Sequence, residues 1–328
     1  MHVVKLPYKE RRHKMDNFIF SLNAVAPIFI VILFGTFLKK KGIINSDYIN
    51  ISTNVVFKIA LPAMIFRDIS KTDFTDVFNI KLILYSVFGT LAIFLLLCLF
   101  GSLFIKNKKS LGAFIQGGFR GNFAFLGLPL IYNLFGQEAS SKGAIVLSFI
   151  MPLYNVLAII ILTATSSESS KYNIKGIIIN ILKNPLIIAV VCALPFSFFN
   201  ITLPQLAVKS IEYVADIATP LALIGIGATI DLNNLKKSFK LSIVASGIKV
   251  IFGPLIAILL AYLIGFRESE LGIIFVLFSS PTAIASFIMA KAMGSDSELA
   301  SSIVVTTTLM SVFTIFAGIF ALKTLGLI

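Results

Sequence analysis

Long runs of apolar residues, each about as long as a membrane-crossing helix, decide what this chain can fold into. Apolar residues make up 57% of its 328 residues and charged residues only 13%, whereas a soluble domain keeps about a quarter of its residues charged. In hydrocarbon every backbone polar group has to be paired internally, which leaves helices or closed barrels. The runs are continuous rather than short and alternating, so the sequence predicts an all-α, polytopic membrane protein.

Ten runs are long enough to be transmembrane helices, since about 20 residues cross the ~30 Å hydrocarbon core. Their predicted bounds are 18–38, 47–69, 80–105, 110–135, 140–164, 184–200, 206–230, 238–264, 269–293 and 298–324. Residues 173–183 are predicted as a short interfacial helix. They belong to a linker at 166–183, which separates residues 15–165 from residues 184–328, and a basic tail at 1–14 precedes them all.

The lysines predict the orientation of the chain. Much of the net charge of +13 comes from alternate loops, such as those at 39–41, 106–109 and 236–240. Positively charged loops stay in the cytoplasm, which predicts a cell-membrane protein with cytoplasmic lysine-rich loops, a cytoplasmic linker and both termini outside. The basic tail contradicts this orientation, so Met15 is a candidate for the true start. No basic face with interleaved aromatic residues occurs, and nucleic acid is not an expected partner.

Several kinds of chemistry are disfavoured by the residues that the chain lacks. Its two cysteines, Cys98 and Cys192, both lie in apolar runs, and its two histidines, His2 and His13, lie in the tail. No zinc-protease motif or phosphate-binding loop occurs. The sequence therefore predicts no disulfide, no metal site, no cofactor and no enzymatic activity, since no nucleophile–base pair can be proposed either.

The two halves of the chain resemble each other. The pattern Val-x-x-Ile-Ala-x-Pro occurs at 56–62 and again at 214–220, and Ala-Ser-Ser occurs at 139–141 and again at 300–302. A repeat with an odd number of spans has to be inverted relative to its copy. The prediction is therefore ten transmembrane helices in two inverted five-helix repeats, an arrangement typical of secondary transporters.

Two predicted spans are interrupted at equivalent places in the repeats. The fourth contains Gly-Gly-Phe-Arg-Gly-Asn at 117–122, and the ninth contains Ser-Ser-Pro-Thr at 279–282. Glycine loosens a helix and proline removes a backbone donor. Broken helices expose N-terminal N–H groups that suit an anion, and paired breaks indicate a transport site. The alternative is that glycine and proline are simply common in membrane helices.

Arg120 is the principal candidate for substrate binding. A charge inside the membrane costs about 2.5–3.5 kcal/mol on insertion scales, so it is usually functional. Beside a break, its guanidinium suits a carboxylate held by two hydrogen bonds, although a snorkelling or structurally paired arginine is the alternative. The other candidates are polar or helix-breaking residues at the breaks, with three weaker ones in the last span: Gly121, Asn122, Ser279, Ser280, Pro281, Thr282 and Ser286, and then Thr306, Thr307 and Thr308. Such polar side chains also bond to their own turn or to neighbouring helices.

Three further charges lie deep in predicted spans. Lys58 and Asp216 occupy equivalent positions in the two repeats, which predicts a structural ion pair, with proton transfer by Asp216 as the alternative. Lys249 lies in the middle of the eighth span. It either neutralises substrate charge or orders helix packing, and the sequence does not decide between these roles.

Four stretches of the chain resemble the auxin efflux carrier family of bacterial and plant transporters. They are Ala-Leu-Pro-Ala at 60–63, Asn-Phe-Ala-Phe-Leu-Gly-Leu-Pro at 122–129, the stretch from Ala218 to Ala228, and Pro-Thr-Ala-Ile-Ala-Ser at 281–286. Plant members carry a long cytoplasmic loop where this chain has a short linker. The sequence is therefore similar to the bacterial branch of malate and malonate permeases.

The resemblance implies crossed fourth and ninth helices, a scaffold of helices 1, 2, 6 and 7 that forms a homodimer, and a transport domain that moves against it. It implies small organic anions as substrates, dicarboxylates in bacteria and auxin in plants. The family's crossover asparagine and proline match Asn122 and Pro281. No acidic residue lies between Ile80 and Phe135, which leaves coupling to protons or sodium open.

These observations together predict a secondary active transporter that moves a small organic anion across the cytoplasmic membrane by alternating access. One alternative is a sodium/proton antiporter on a similar crossed-helix scaffold. That function needs paired carboxylates near the breaks, and the sequence has none there. The other alternative is a membrane receptor or regulatory subunit that binds its ligand without transporting it.

Overall fold

The computed structural model describes residues 8–71, 77–165, 183, 185–229 and 239–328. Within these ranges the chain is helical apart from short turns, and an isolated bridge between Gly121 and Thr282 is the only β-type pairing. The all-α prediction is therefore confirmed for this part of the chain. The interfacial helix predicted at 173–183 and the linker at 166–183 lie, apart from Lys183, outside the described residues.

Eleven helices follow one another along the described ranges. They are α1 (Tyr8–Lys40), α2 (Ser46–Ser70), α3 (Ile80–Phe104), α4 (Lys108–Phe119), α5 (Phe123–Thr165), α6 (Pro185–Phe198), α7 (Gln205–Ala228), α8 (Phe239–Ile264), α9 (Glu268–Ser279), α10 (Ala285–Ala292) and α11 (Ser297–Thr324). Seven of these are long and apolar enough to cross a membrane, namely α1, α2, α3, α5, α7, α8 and α11. The first of them begins at Tyr8, inside the segment predicted as a tail.

The short helices lie where the sequence predicts interrupted spans. The chain leaves the helical path between Phe119 and Phe123, which separates α4 from α5, and between Ser279 and Ala285, which separates α9 from α10. A third interruption lies within α5 at Gly136, whose φ of 80° is accessible mainly to glycine. It divides the end of the predicted fourth span from the predicted fifth span.

Contacts between helix ends show that the loops alternate between two ends of the molecule. At one end the Ser110 hydroxyl donates to the Asp296 carboxylate at 2.7 Å. At the other end the Asn79 amide donates to the Glu270 carboxylate at 2.5 Å. The first end carries lysines 39–41, Lys106, Lys108, Lys109 and Lys291, and we call it the lysine-rich end. The second is called the opposite end.

We divide the helices into two groups, which also contact each other, α1 with α11 and α2 with α5. The scaffold group consists of α1, α2, α6 and α7, in which α1 packs on α7, α7 on α2, and α2 on α6. The crossing group consists of α3, α4, α5, α8, α9, α10 and α11. The tightest seam in the scaffold group joins α1 and α7, where a Cβ on Gly227 would strike the Ile32 backbone and one on Gly35 would strike the Ile224 backbone. Small residues allow such close packing in lipid, where the hydrophobic effect does not drive helix association.

Large apolar side chains point outwards from many helices. Phe104 on α3, Leu263 on α8 and Phe313 on α11 are among the most exposed residues of the chain. In water a surface of this kind promotes association, whereas lipid acyl chains solvate it. Together with the seven long apolar helices, it identifies a multi-pass membrane protein.

Candidate functional site

The two breaks lie directly against each other. The Asn122 backbone N–H donates to the Pro281 carbonyl at 2.7 Å, and the Ala283 N–H donates to the Arg120 carbonyl at 3.1 Å. These bonds form the bridge between Gly121 and Thr282. They pair backbone groups that the interrupted helices have released, which is a requirement inside a bilayer. The structure thus brings together the two segments that the sequence selects.

The C-terminal ends of α4 and α9 also receive partners at this point. The Thr282 hydroxyl donates to the Gly117 carbonyl at 2.7 Å. The buried Lys249 ammonium donates to the Phe278 carbonyl at 2.9 Å, and it lies 3.2 Å from where a Cβ on Gly121 would be. A cation is favourable at a helix C-terminus because the last carbonyls carry partial negative charge. Thr282 and Lys249 therefore hold the carbonyl ends of the broken helices.

The N-terminal ends of α5 and α10 open into a cavity of about 280 Å³ between the crossing group and the scaffold group. The crossing group supplies Arg120, Gly121, Asn122, Ala124, Phe125, Leu147, Met151, Tyr154, Asn155, Ala283, Ile284, Ala285 and Ile288; the scaffold group supplies Thr53, Asn54, Phe57, Ala222, Gly225 and Ile226. The wall is mostly apolar, with a few amides and hydroxyls. A larger cleft of about 410 Å³ beside Arg67 and Lys71 lies away from the breaks.

Arg120 is the charged residue of this cavity wall, and it is buried. Its Nη1 donates to the Met289 sulfur at 2.7 Å, and its Nη2 donates to the Asn155 side-chain oxygen at 2.8 Å. Within the part of the chain that the structure describes, no carboxylate forms an ion pair with it. A thioether is a weak acceptor and an amide is neutral. The arrangement therefore presents a positive charge whose negative partner has to come from outside these residues.

Asn122 and Gly121 join Arg120 in the cavity wall. The Asn122 side chain makes no hydrogen bond to another described residue, although it is largely buried. Its amide atoms remain accessible from the cavity. A ligand in the cavity would supply the missing partner.

The remaining predicted site residues lie behind the cavity wall. Ser280 donates to the Val276 carbonyl at 2.6 Å, within its own helix. Ser279 and Ser286 are fully buried, and their hydroxyls have no hydrogen-bond partner among the described residues. Pro281 contributes its carbonyl to the bridge described above.

The three threonines of α11 do not line the cavity. Thr307 accepts a hydrogen bond from the Thr282 N–H at 3.0 Å. Thr306 and Thr308 donate to carbonyls of their own helix. The hydroxyls of all three threonines thus form hydrogen bonds within the helix bundle.

The expected ion pair between Lys58 and Asp216 does not form. Asp216 instead accepts from the Arg67 Nη1 at 2.7 Å, and 69% of its side chain is exposed. Lys58 is exposed on the scaffold group, beside Pro62 and Pro185. Because α2 and α7 run antiparallel, residues that match in the repeat are not level with each other, and Asp216 is level with Arg67.

Comparison with known proteins decides the family. A family model described as "Membrane transport protein", which is the auxin efflux carrier family, matches residues 20–317. The chain belongs to this family. The resemblance predicted from four short stretches of sequence is thereby confirmed.

The chain is similar to archaeal and bacterial transporters. An "Uncharacterized transporter" of Methanocaldococcus jannaschii is 28% identical over 297 residues, covering 88% of this chain and 94% of the relative. A second one, from Methanothermobacter thermautotrophicus, is 22% identical over 296 residues, covering 90% and 96%. A "Putative malonate transporter" of Rhizobium meliloti is 27% identical over 279 residues, covering 83% and 86%. The chain is thus similar to nearly the whole length of these transporters rather than to a part of them.

Sequence reasoning missed two residues that shape the site. Asn155 and Met289 hold the guanidinium of Arg120. It also missed Asp68, which is buried near the end of α2, away from the cavity. Asn155 carried a usable signal, because it is an amide in an otherwise apolar run. Met289 carried none, since a methionine in a membrane helix is unremarkable.

Proposed function

We propose that the protein is a secondary transporter that moves a small organic anion, a dicarboxylate-like molecule or another carboxylate, across the cytoplasmic membrane by alternating access. The observation that carries the proposal is Arg120, a buried cation in a cavity without a carboxylate partner among the described residues. A substrate carboxylate accepts stronger, charge-assisted hydrogen bonds than the Asn155 amide or the Met289 sulfur. Family membership and the relative named as a malonate transporter support an organic anion.

In this proposal the residues at the breaks have separate roles. Arg120 neutralises the substrate carboxylate and Asn122 orients it through its free side-chain amide. The N-terminal ends of α5 and α10 add partial positive charge on the same side of the cavity. Thr282 donates a hydrogen bond to a carbonyl at the end of α4, and Lys249 donates one to a carbonyl at the end of α9. These bonds reduce the partial negative charge that the two helix ends would otherwise direct at the anion.

We also propose that the chain crosses the membrane ten times in two inverted five-helix repeats. Two pairs of irregularities and one recurring sequence support the repeat. The break between α4 and α5 corresponds to the break between α9 and α10, and the π-helical turn at Val56–Ala60 in α2 corresponds to the turn at Ile217 in α7. The recurring Ala-Ser-Ser segments lie in α5 and α11. The two groups of helices then move against each other by rocking or by an elevator motion.

A homodimer through α1, α2, α6 and α7 follows from the same proposal. Val191 on α6 and Leu206 and Tyr213 on α7 expose large apolar side chains, which suits a partner subunit or lipid. The lysine-rich end faces the cytoplasm in this orientation, and both termini lie outside. No cofactor is needed. Applying a proton gradient and then a sodium gradient to the same vesicles identifies the coupling ion.

The antiporter alternative is disfavoured because no carboxylate lines the cavity within the described residues. A transporter exchanges anions across the membrane, whereas a receptor only binds them, so an exchange experiment distinguishes the two. Purified protein in proteoliposomes loaded with malonate, malate or an aromatic acid should take up the same labelled anion by counterflow. A receptor would instead show ligand-dependent thermal stabilisation, which follows from mass action, without any exchange.

Arg120→Ala is the decisive variant for this proposal. It should abolish counterflow while the protein still purifies as a folded, monodisperse species. Arg267→Ala is the matched control, because Arg267 is exposed and donates to the carbonyls of Tyr262 and Phe266 far from the breaks. Unchanged exchange by Arg120→Ala would remove Arg120 from the site, and loss of exchange in both variants would show only a general defect.

A further inference from the structure

Asp68 is the buried acid of the described residues. Its side chain is 1% exposed, whereas the other acidic side chains whose burial the structure describes are at least partly exposed. It lies near the end of α2, at the opposite end of the molecule from the lysines. A buried charge within a membrane helix usually has a function, and the proposed binding of the anion does not use this one.

Two kinds of contact hold Asp68. On its own helix, the Arg67 Nε donates to its Oδ1 at 2.9 Å. From α5, the Ser140 hydroxyl donates to its Oδ2 at 3.0 Å, and the Gln137 amide donates to its backbone carbonyl at 3.4 Å. Ser140 and Gln137 directly follow the interruption at Gly136. Asp68 therefore joins the scaffold group to the crossing group.

The contacts across this boundary differ in kind from those within the scaffold group. Within the scaffold group, Arg67 also pairs with Asp216 at 2.7 Å, and Lys71 pairs with Glu212 at 2.6 Å. Across the boundary the Ser140 and Gln137 donors are neutral, a hydroxyl and an amide. When the groups separate, Asp68 keeps its arginine, so no buried charge is left unpaired. Water can replace a neutral donor at little cost.

The cavity and these contacts occupy different halves of the molecule. On α2 the cavity wall is formed by Thr53, Asn54 and Phe57, which precede Asp68 by three turns or more, toward the lysine-rich end. On α7 it is formed by residues 222–226, which also lie toward that end. Thr53 and Asn54 are exposed, whereas Asp68 and Ser140 are buried. The boundary is thus closed at the opposite end and more open toward the lysine-rich end.

We infer that Asp68, Ser140 and Gln137 form a latch that closes the cavity toward the opposite end, and that the hydrogen bond between Asp68 and Ser140 breaks and re-forms in every transport cycle. The inference rests on the proposed transport by alternating access. It assigns a gating role to three residues that do not touch the anion. Arg67 stays paired with Asp68 in both states of the latch.

The test measures from which side a reporter in the cavity can be reached. A Cys98→Ala/Cys192→Ala background receives Ala285→Cys in the cavity wall, and a separate Lys41→Cys variant marks the lysine-rich side of oriented vesicles. A membrane-impermeant charged maleimide is then added from each side. In the parent, the cavity cysteine should react from the lysine-rich side. Ser140→Ala and Asp68→Asn should each raise the rate from the opposite side by roughly tenfold, the population shift expected from losing a hydrogen bond to a charged group.

Ser148→Ala is the matched control, because its hydroxyl bonds to the Ile145 carbonyl of its own helix at 2.7 Å. It should leave the sidedness of labelling as in the parent. Asp68→Asn also weakens the pair with Arg67, so Ser140→Ala is the cleaner variant, and folding of both is checked by thermal unfolding. If folded Ser140→Ala and Asp68→Asn both label as the parent does, the latch is refuted.

Labelling does not depend on the identity of the substrate, which separates this test from the counterflow experiment. Parent protein that exchanges anions while the latch variants keep the parent's sidedness would refute the latch and leave the proposed function standing. Parent protein that shows no exchange would refute the proposed function. A shift in sidedness in such a protein would still establish Asp68 and Ser140 as the closing contact.

Discussion

Arg67 and Arg120 differ in the partners that the fold gives to their guanidinium groups. Arg67 lies between two carboxylates, those of Asp68 and Asp216, at 2.9 and 2.7 Å. Arg120 is buried at the crossing, where its acceptors among the described residues are an amide oxygen and a sulfur. A charge that the fold itself neutralises stabilises the fold, whereas one that it leaves unmatched stabilises the complex with a ligand. Replacing Arg67 should therefore lower the stability of the protein, whereas replacing Arg120 should lower its affinity for the anion.

The largest effect on stability is expected at Arg67. Arg67→Gln leaves Asp68 buried without its counter-ion, which should lower the free energy of unfolding by about 3–5 kcal/mol. Equilibrium unfolding in mixed micelles measures this change. The double variant Arg67→Gln/Asp68→Asn should recover most of the loss, because removing both partners leaves no unpaired charge. Equal losses in the single and double variants would show that Arg67 acts by packing alone.

Arg120→Gln should have its effect on binding rather than on stability. The affinity for the transported anion should fall by roughly a hundredfold, as losing one partner of a buried charge pair costs about 2–5 kcal/mol. The free energy of unfolding of the ligand-free protein should not fall, since the change removes an unmatched buried cation. Calorimetric titration and unfolding in mixed micelles measure the two quantities. A loss of stability as large as that of Arg67→Gln would contradict the comparison.

Asn155 should act through Arg120. Its side-chain oxygen accepts from the guanidinium at 2.8 Å, so Asn155→Ala lets that group leave its position in the cavity wall. The apparent KM for counterflow should rise about fivefold, corresponding to roughly 1 kcal/mol for one hydrogen bond, with an unchanged rate at saturation. Asn133→Ala, at an exposed position of the same helix, is the control. A fall in the saturated rate with unchanged KM would argue against a positioning role.

The smallest effect is expected at Asp216. Its carboxylate bonds to Arg67, but 69% of its side chain is exposed, and exposed ion pairs contribute about 0–1 kcal/mol. Asp216→Asn should therefore change the free energy of unfolding far less than Arg67→Gln does. The same unfolding measurement compares the two, and a change of similar size would mean that Asp216 rather than Asp68 is the partner that matters.

The sequence predicts most of the helices and both breaks, because these follow from local properties. Run length and apolarity define the helices, and the glycines at 117–121 and the proline at 281 mark the interruptions. Arg120 stands out because a charge in an apolar run is unusual. All of these features can be recognised from neighbouring residues, without knowing which distant segments meet in the fold.

The rest of the site depends on how distant segments meet. Asn155 reaches Arg120 only because α5 changes direction at Gly136. Lys249 bonds to the Phe278 carbonyl only because α8 packs beside the end of α9. The wrong pairing of Lys58 with Asp216 has the same origin, since equivalence in a repeat does not give the register of two antiparallel helices.

The glycine contact between α1 and α7 has a consequence for measuring motion. At Gly35 and Gly227 one backbone rests directly on the other, so no side chain between them can compress or change rotamer. Spectroscopic labels placed on the outer faces of these two helices should therefore report a constant separation under all conditions. The distance between these labels would serve as a fixed reference against which displacements of other helices can be measured.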